Sequence, residues 1–311
     1  MPGLRPVPPD ARQLRAWERL WSEDQVATPY QHPAFFAVEA QYSRVHAFVL
    51  ENRDIDAILP MAKVDIGYGQ RRCELAPQGQ YGGGLGPRAG ARREILTAGA
   101  PFLHGGVLNP REEWLRFRHY AIPYETSVVL RTPTGWPVIP PRKLRKPRQL
   151  GVSVIAVGPH EQSQEIYGLH VMESSRWGRA PLSRAHHDAL RSLPFASTVI
   201  AADSEGRLLA YFLVFEAKQT LYSYLSATSP QARAWRVPSL LYAEVPRLIG
   251  QSCDRYDLQH SLGSDGVKAF KMSMGASHVS AIQINNVPIT HRLRYWVAGQ
   301  VNQIRQMRHR L

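Results

Sequence analysis

Cysteine is nearly missing from this chain: Cys73 and Cys253 are the only two in 311 residues. They show no CxxC spacing and no neighbouring histidines arranged as ligands, so they read as small buried hydrophobes rather than a disulfide or a metal site. Long apolar runs are missing too. No stretch approaches the roughly eighteen uninterrupted apolar residues of a membrane span, and the opening "MPGLRPVPPDARQ" lacks the apolar core of a signal peptide. The expectation is a soluble, cytoplasmic protein with no membrane span. Acidic residues are scarce in one half only. Residues 1–140 hold 16 Lys and Arg against 14 Asp and Glu, whereas residues 141–311 hold 22 against 11. Most of the net charge of +13 therefore lies in the second half, which suits contact with a polyanion such as RNA, a nucleotide or an anionic membrane surface. A solvated basic face is the plainer alternative.

What is present is a globular composition, 44% hydrophobic and 20% charged, in a chain long enough for two domains of ordinary size. After a Pro-rich tail (1–10), "DARQLRAWERLWSED" has Leu14, Trp17, Leu20 and Trp21 at helical spacing, with Asp10 as N-cap. A second helix is expected in "TPYQHPAFFAVEAQYS", with Pro33 in its first turn. The runs "VHAFVLEN" and "DIDAILPMAKVD" read as strands, "QYGGGLGP" as a loop that side chains cannot crowd, and 89–122 as helical in pieces broken at "HGG" and "NP". A strand "TSVVLRT" ends this first unit. Pro137, Pro140 and Pro141 then interrupt regular structure and place a boundary at 138/139.

The order repeats afterwards: a basic helix and a strand, two helices, the strands "STVIAAD", "RLLAYFLVFEA" and "TLYSYLSA", the helix "VPSLLYAEVPRLIG" and the strand "RYDLQH". A helix in "GVKAFKMSMGA", a strand "VSAIQIN" and a basic terminal helix over 290–311 complete it. Two helices followed by a meander of strands in each half points to a duplicated α/β architecture, with residues 11–138 as a shortened first copy and 139–311 as the second.

Several side chains stand out chemically. Lys271 sits in a helix whose Val267, Phe270 and Met274 define a face for burial, so its ammonium either snorkels to the surface or is aimed at a reacting group. In "RKLRKPRQLG" five basic residues fall within seven positions around a helix, a pattern suited to phosphates or to a solvated linker. His186, His187 and Asp188 could suggest a metal, but adjacent helix positions face apart, so these histidines are expected at the surface and no metal is expected.

The succession "RKLRKPRQLGVSV", a helix containing Tyr167, "RLLAYFLVFEAKQTLYSYLSATS", "PSLLYAEVPRLIGQSCDRYDLQHS" and "GVKAFKMSMGA" resembles the Fem family of tRNA-dependent aminoacyl ligases and related acyltransferases. "TPYQHPAFFAVEA" and "QYGGGLGP" resemble that family's early helix and Gly-rich loop, so the likeness runs from about residue 28 to 285. It implies two tandem N-acetyltransferase-like (GNAT-like) domains with mixed, mostly antiparallel sheets flanked by helices. The donor would lie in the second domain, the amine acceptor between the two, with no metal or organic cofactor. It places Lys271 at the donor's reacting end beside Phe270, holding a terminal phosphate or the oxyanion, and it offers Arg145 for an acceptor's phosphates.

Both donor types used by such relatives, aminoacyl-tRNA and acyl thioesters, arrive activated. An amine can attack the carbonyl directly, and the protein aligns reactants and stabilises the oxyanion. A simple acyl-CoA enzyme carries a Gly-rich phosphate loop opening a helix. The corresponding "SPQARAWRVPSLLYAEV" has no glycine and instead offers Gln231, Arg233 and Arg236. With the basic second half, that departure favours aminoacyl-tRNA. Tyr81, Tyr222 and Tyr224 are candidates to line the acceptor cleft, and Asp257, Glu244 and His260 to accept the amine's proton. The expected activity is peptide-bond formation onto a peptide or peptidoglycan-precursor-like amine, free or nucleotide-linked, by a monomer. An acyl-thioester N-acyltransferase is the alternative, and a non-catalytic RNA-binding protein on this scaffold is the third reading.

Overall fold

The computed structural model describes residues 5–52, 56–67, 70–111, 121–261 and 264–285. The chain begins with α1 (Ala11–Glu23) and α2 (Pro33–Tyr42). Asp10 caps α1 by accepting from the Gln13 N–H at 2.8 Å, while the Gln13 side chain returns the bond to the Asp10 N–H, which satisfies two donors that a helix start leaves open. Trp17 and Leu20 are fully buried, Leu14 exposed. Pro33 occupies the first position of α2, where no N–H is needed.

The first half continues through β1 (Val45–Glu51), β2 (Ile58–Gly67), β3 (Gln70–Glu74), β4 (Tyr81–Gly82), α3 (Ala89–Gly99), β5 (Gly105–Leu108) and β6 (Ala121–Leu130). The second comprises α4 (Pro141–Gln149), β7 (Ser153–Val157), α5 (Ser163–Arg176), α6 (Arg184–Arg191), β8 (Ala196–Ala202), β9 (Leu208–Ala217), β10 (Thr220–Thr228), α7 (Pro230–Ala234), α8 (Val237–Leu248), β11 (Arg255–Asp257), α9 (Asp265–Met272) and β12 (Ser277–Asn285). The helix expected over 290–311 lies outside the described residues.

Among the described residues the strands join one sheet in the order β1-β2-β3-β5-β12-β6-β11-β10-β9-β8-β7, with β4 beside β5. Most pairs are antiparallel; β10/β11, β3/β5 and β4/β5 are parallel. The strand β12, from the end of the second half, runs between β5 and β6 of the first, and β6 in turn pairs with β11. The two halves thus share one continuous sheet.

Two expectations change. "HGGVL" is not a helix break but the buried strand β5, with Gly106 at φ +126° and so close to Leu75 that a Cβ would come within 2.8 Å of it. The histidines of α6 are not at the surface: His186 and His187 are 2% and 0% exposed, because α6 packs against α2 of the first half. The Gly-rich loop leaves no room for a side chain at Gly84, where a Cβ would lie 2.5 Å from the Arg92 carbonyl oxygen. Both cysteines are free; Cys253 is buried and Cys73 half-buried.

Candidate active site

The site arises where two parallel strands part. β10 and β11 pair from Thr220↔Arg255 to Tyr222↔Asp257, after which β11 ends and β10 runs on to Thr228. Just past the last pair, β10 skips register with β9 between Ser223 and Leu225, so Tyr224 is bulged. Such a bulge bends the strand and re-aims a side chain. On the other side Gln259 takes a left-handed conformation, φ +62°, and turns the chain away. The divergence opens a cleft of about 870 Å³. Its walls come from β10, the 258–261 segment, α9, the first turn of α8, the C-terminal end of α5 and the 177–182 segment.

Lys271 is on this wall yet only 3% exposed. Its ammonium donates to the carbonyls of Gln259 at 2.7 Å and His260 at 3.0 Å. Burial lowers its pKa to about 8, against the opposing pull of Asp257. Two of its three N–H bonds fasten the turn, which leaves one donor uncommitted. Phe270, also on the wall, stands edge-on to Tyr242 with centroids 5.3 Å apart. His260 lines the cleft, stacked on Tyr124 at 4.5 Å; burial and the Lys271 charge hold its imidazole towards the neutral form.

Asp257 is not among the lining residues. It lies 1% exposed beneath the floor, where its Oδ1 accepts from the Gln259 N–H at 2.8 Å and the Thr126 hydroxyl at 2.9 Å. Burial raises its pKa, opposed by those hydrogen bonds and by the Arg255 and Lys271 charges. Tyr81 joins the same network by donating to Thr126 at 2.7 Å. Asp257 therefore shapes the Gln259 turn rather than facing a substrate. Tyr222 is 1% exposed and packs among Tyr30 and Tyr81, so neither Tyr81 nor Tyr222 is a wall residue. Glu244 is engaged on the surface by Arg148 and Arg247.

Tyr224 does line the cleft, stacked on Phe215 at 4.6 Å. Burial, and after it the neighbouring Glu39 charge, pushes its phenol pKa well up. Glu39 is 0% exposed and accepts from Ser43 at 3.0 Å and Gln78 at 2.8 Å. His186 meets its other oxygen at 3.1 Å. This carboxylate on α2 thus ties α6 to the first half. A second buried chain links His170, on the wall, through the Tyr211 hydroxyl to His187, at 3.3 and 3.1 Å. The Leu182 N–H donates to His170 Nε2 at 3.1 Å, which leaves Nδ1 as the protonated nitrogen of a neutral ring. Burial lowers the pKa of both imidazoles.

The rim is cationic. Lys143, Arg233 and Arg236 line it. Burial, then the charges of Arg142 and Arg236, lower the Lys143 ammonium pKa. Arg145, two positions on, is exposed and is not among the lining residues. Helix phase accounts for the difference, since positions two apart point to different faces. Sequence reasoning missed Glu39, Gln78, His170, Glu173 and Trp177. Among them, only the exposed apolar character of Trp177 carried a local signal. No group of three or more His, Cys, Asp or Glu among the described residues is arranged to hold a metal ion, and none of their helices is long and apolar enough to cross a membrane.

Residues 142–272 match the family described as acetyltransferase (GNAT) domain. The fold resembles that of FemX, with a TM-score of 0.60 at 12% identity over 88% of this chain and 96% of that one. It equally resembles L-PGS from Bacillus licheniformis, with a TM-score of 0.59 at 14% identity over 91% and 95%. The C-terminal domain (DUF2156) of a candidate lysylphosphatidylglycerol synthetase from Agrobacterium fabrum has a TM-score of 0.60 at 11% identity over 93% and 96%. No curated protein matches the sequence. The matched GNAT domain makes the protein an acyltransferase, and the cleft is lined almost wholly by residues of that match. In particular, the chain has a Fem-like GNAT fold, mixed α/β with a large, mostly antiparallel sheet flanked by helices.

Proposed function

We propose that the protein transfers an aminoacyl group from aminoacyl-tRNA to the amine of a peptide or peptidoglycan-precursor-like acceptor, in the cytoplasm and as a monomer. The observation that carries this reading is the cleft itself. Its rim presents Lys143, Arg233 and Arg236, where a Gly-rich phosphate loop would serve a simple acyl-CoA enzyme. The net excess of basic residues in 141–311 supports the same donor.

In this reading the amine attacks the ester carbonyl directly. The C–N bond forms as the C–O bond to the ribose breaks; the amine's proton leaves and the ribose oxygen gains one. Lys271, on the cleft wall with its position fixed by two carbonyls, stabilises the oxyanion or a terminal phosphate. A preorganised donor of this kind contributes on the order of 10²- to 10³-fold in rate. Residues 139–311 form the donor side and 11–138 the acceptor side.

A thioester donor is the second reading, favoured by the match of residues 142–272 to an acetyltransferase domain. The purified protein is to be incubated with labelled aminoacyl-tRNA pools or acyl-CoA, against candidate amines and, in view of the name of the Agrobacterium relative, phosphatidylglycerol. RNase-sensitive transfer to an amine is expected, reduced at least about 100-fold in Lys271→Ala. Transfer from acyl-CoA alone would replace the first reading with the second.

A further inference from the structure

The cleft has an end that the chemistry at Lys271 does not use. There α5 stops at Arg176 and the chain reverses through Gly178, at φ +65°. Trp177, at this reversal, is 46% exposed and forms part of the cleft wall. A half-exposed indole in a concave, basic wall offers a large flat apolar face to a ligand.

This indole is held in place. Its Nε1–H donates to Glu173 Oε1 at 2.8 Å, and its backbone N–H closes α5 on Glu173 and Ser174. The Arg176 guanidinium lies 4.4 Å from the ring centroid and is itself paired with Glu173. Glu173 Oε2 also pairs at 3.3 Å with Arg233, from α7. One carboxylate therefore fixes the indole relative to the rim that precedes α8. Arg176 and Arg233 share that carboxylate, whereas Arg179 and Arg236, both exposed on the cleft wall, have no ion pair among the described residues. The local arrangement is a rigid aromatic face and two guanidinium groups without ion pairs, all lining one cleft. It fits a planar base attached to phosphate, because a ring stacks on the indole while guanidinium groups take the anionic oxygens.

We propose that Trp177, with Arg179 and Arg236, is the binding site for an adenosine nucleotide, the adenine stacking on Trp177 and its phosphates lying against the two arginines. The assignment rests on the acyl-donor reading above, since the 3′ end of tRNA and coenzyme A both carry an adenosine. The shared chemistry defines the site, and the source is for the test to separate. Glu173 is a positioning residue here: it orients the indole and does not touch the base.

The full chain is titrated by calorimetry with the trinucleotide CCA, with CCA lacking its terminal base, and with coenzyme A. Variants Trp177→Ala, Trp177→Phe and Arg236→Gln are titrated in parallel, and melting temperatures are recorded for each. One adenosine ligand is expected to bind, about tenfold more weakly in Trp177→Ala and within about threefold in Trp177→Phe, which keeps a stacking ring. The probe lacking its base should be indifferent to both changes, while Arg236→Gln should weaken every probe and flatten the salt dependence. Preference for CCA or for coenzyme A names the source. Equal affinity in wild type and Trp177→Ala overturns the proposal, as does binding of neither adenosine probe, or a fall in melting temperature with affinity unchanged. Trp177-dependent binding without transfer from either donor would overturn the donor reading and leave this site standing.

Discussion

Lys271 holds a buried ammonium on the wall of the cleft. The helical face that argued for its burial is real: it is 3% exposed, on the cleft, and its ammonium neither snorkels nor meets a carboxylate but holds two carbonyls. Its folded pKa, about 8, lies below the ordinary lysine value of 10.5. Between those values the unfolded chain keeps a proton that the folded one has released. Stability therefore rises with pH across that window. The expected outcome is that the stability of wild type relative to Lys271→Met grows from about pH 8 to pH 10, read by urea denaturation at each pH. A difference that stays flat would place the ammonium in water. Of the site residues expected from sequence, Lys271, Phe270, Tyr224, Arg233 and Arg236 do meet on one cleft, whereas Asp257, Tyr81 and Tyr222 are packed beneath or beside it and Arg145 points elsewhere. Glu39 was not legible because its partner His186 is 147 positions away, and no local spacing encodes a contact across that distance.

Among the elements, the junction of α7 and α8 carries strain where it carries charge. Arg236, the N-cap of α8, has φ +62°, a left-handed conformation that costs a non-glycine residue roughly 1 kcal/mol. Arg236→Gly is expected to raise stability by up to about 1 kcal/mol while weakening donor binding. Thermal melts and nucleotide titrations on the same preparation check both halves of that outcome; a variant that melts lower would show that Arg236 has a packing role as well. Elements with strong local signals, such as α1 with its Asp10 cap or β1 and β2 with their strand-like runs on either side of a turn, are where the pattern puts them. β5 is the exception. Four consecutive buried residues beginning Gly105–Gly106 offer no alternation to detect, and a glycine pair reads locally as a breaker.

Across the whole molecule, the place of β12 between β5 and β6 was not legible, because strand order is set by long-range pairing rather than by local periodicity. It has a direct consequence for stability. Without β12, the facing edges of β5 and β6 lose their ladders, and exposed edges are prone to aggregate. A fragment of residues 11–138 is therefore expected to be insoluble or to lack cooperative unfolding, while the whole chain melts in a single transition by calorimetry. A folded, monomeric 11–138 fragment would contradict this.

The same exchange sets a timetable during synthesis. β6 leaves the ribosome well before β12 is made, and at about 5–20 residues per second the wait is roughly 8–30 s. Through that interval the nascent first half carries an open slot in its sheet that only the far end of its own chain can fill. A trigger for chaperone engagement is thus written into the topology, and slow codons before residue 277 would lengthen the exposure.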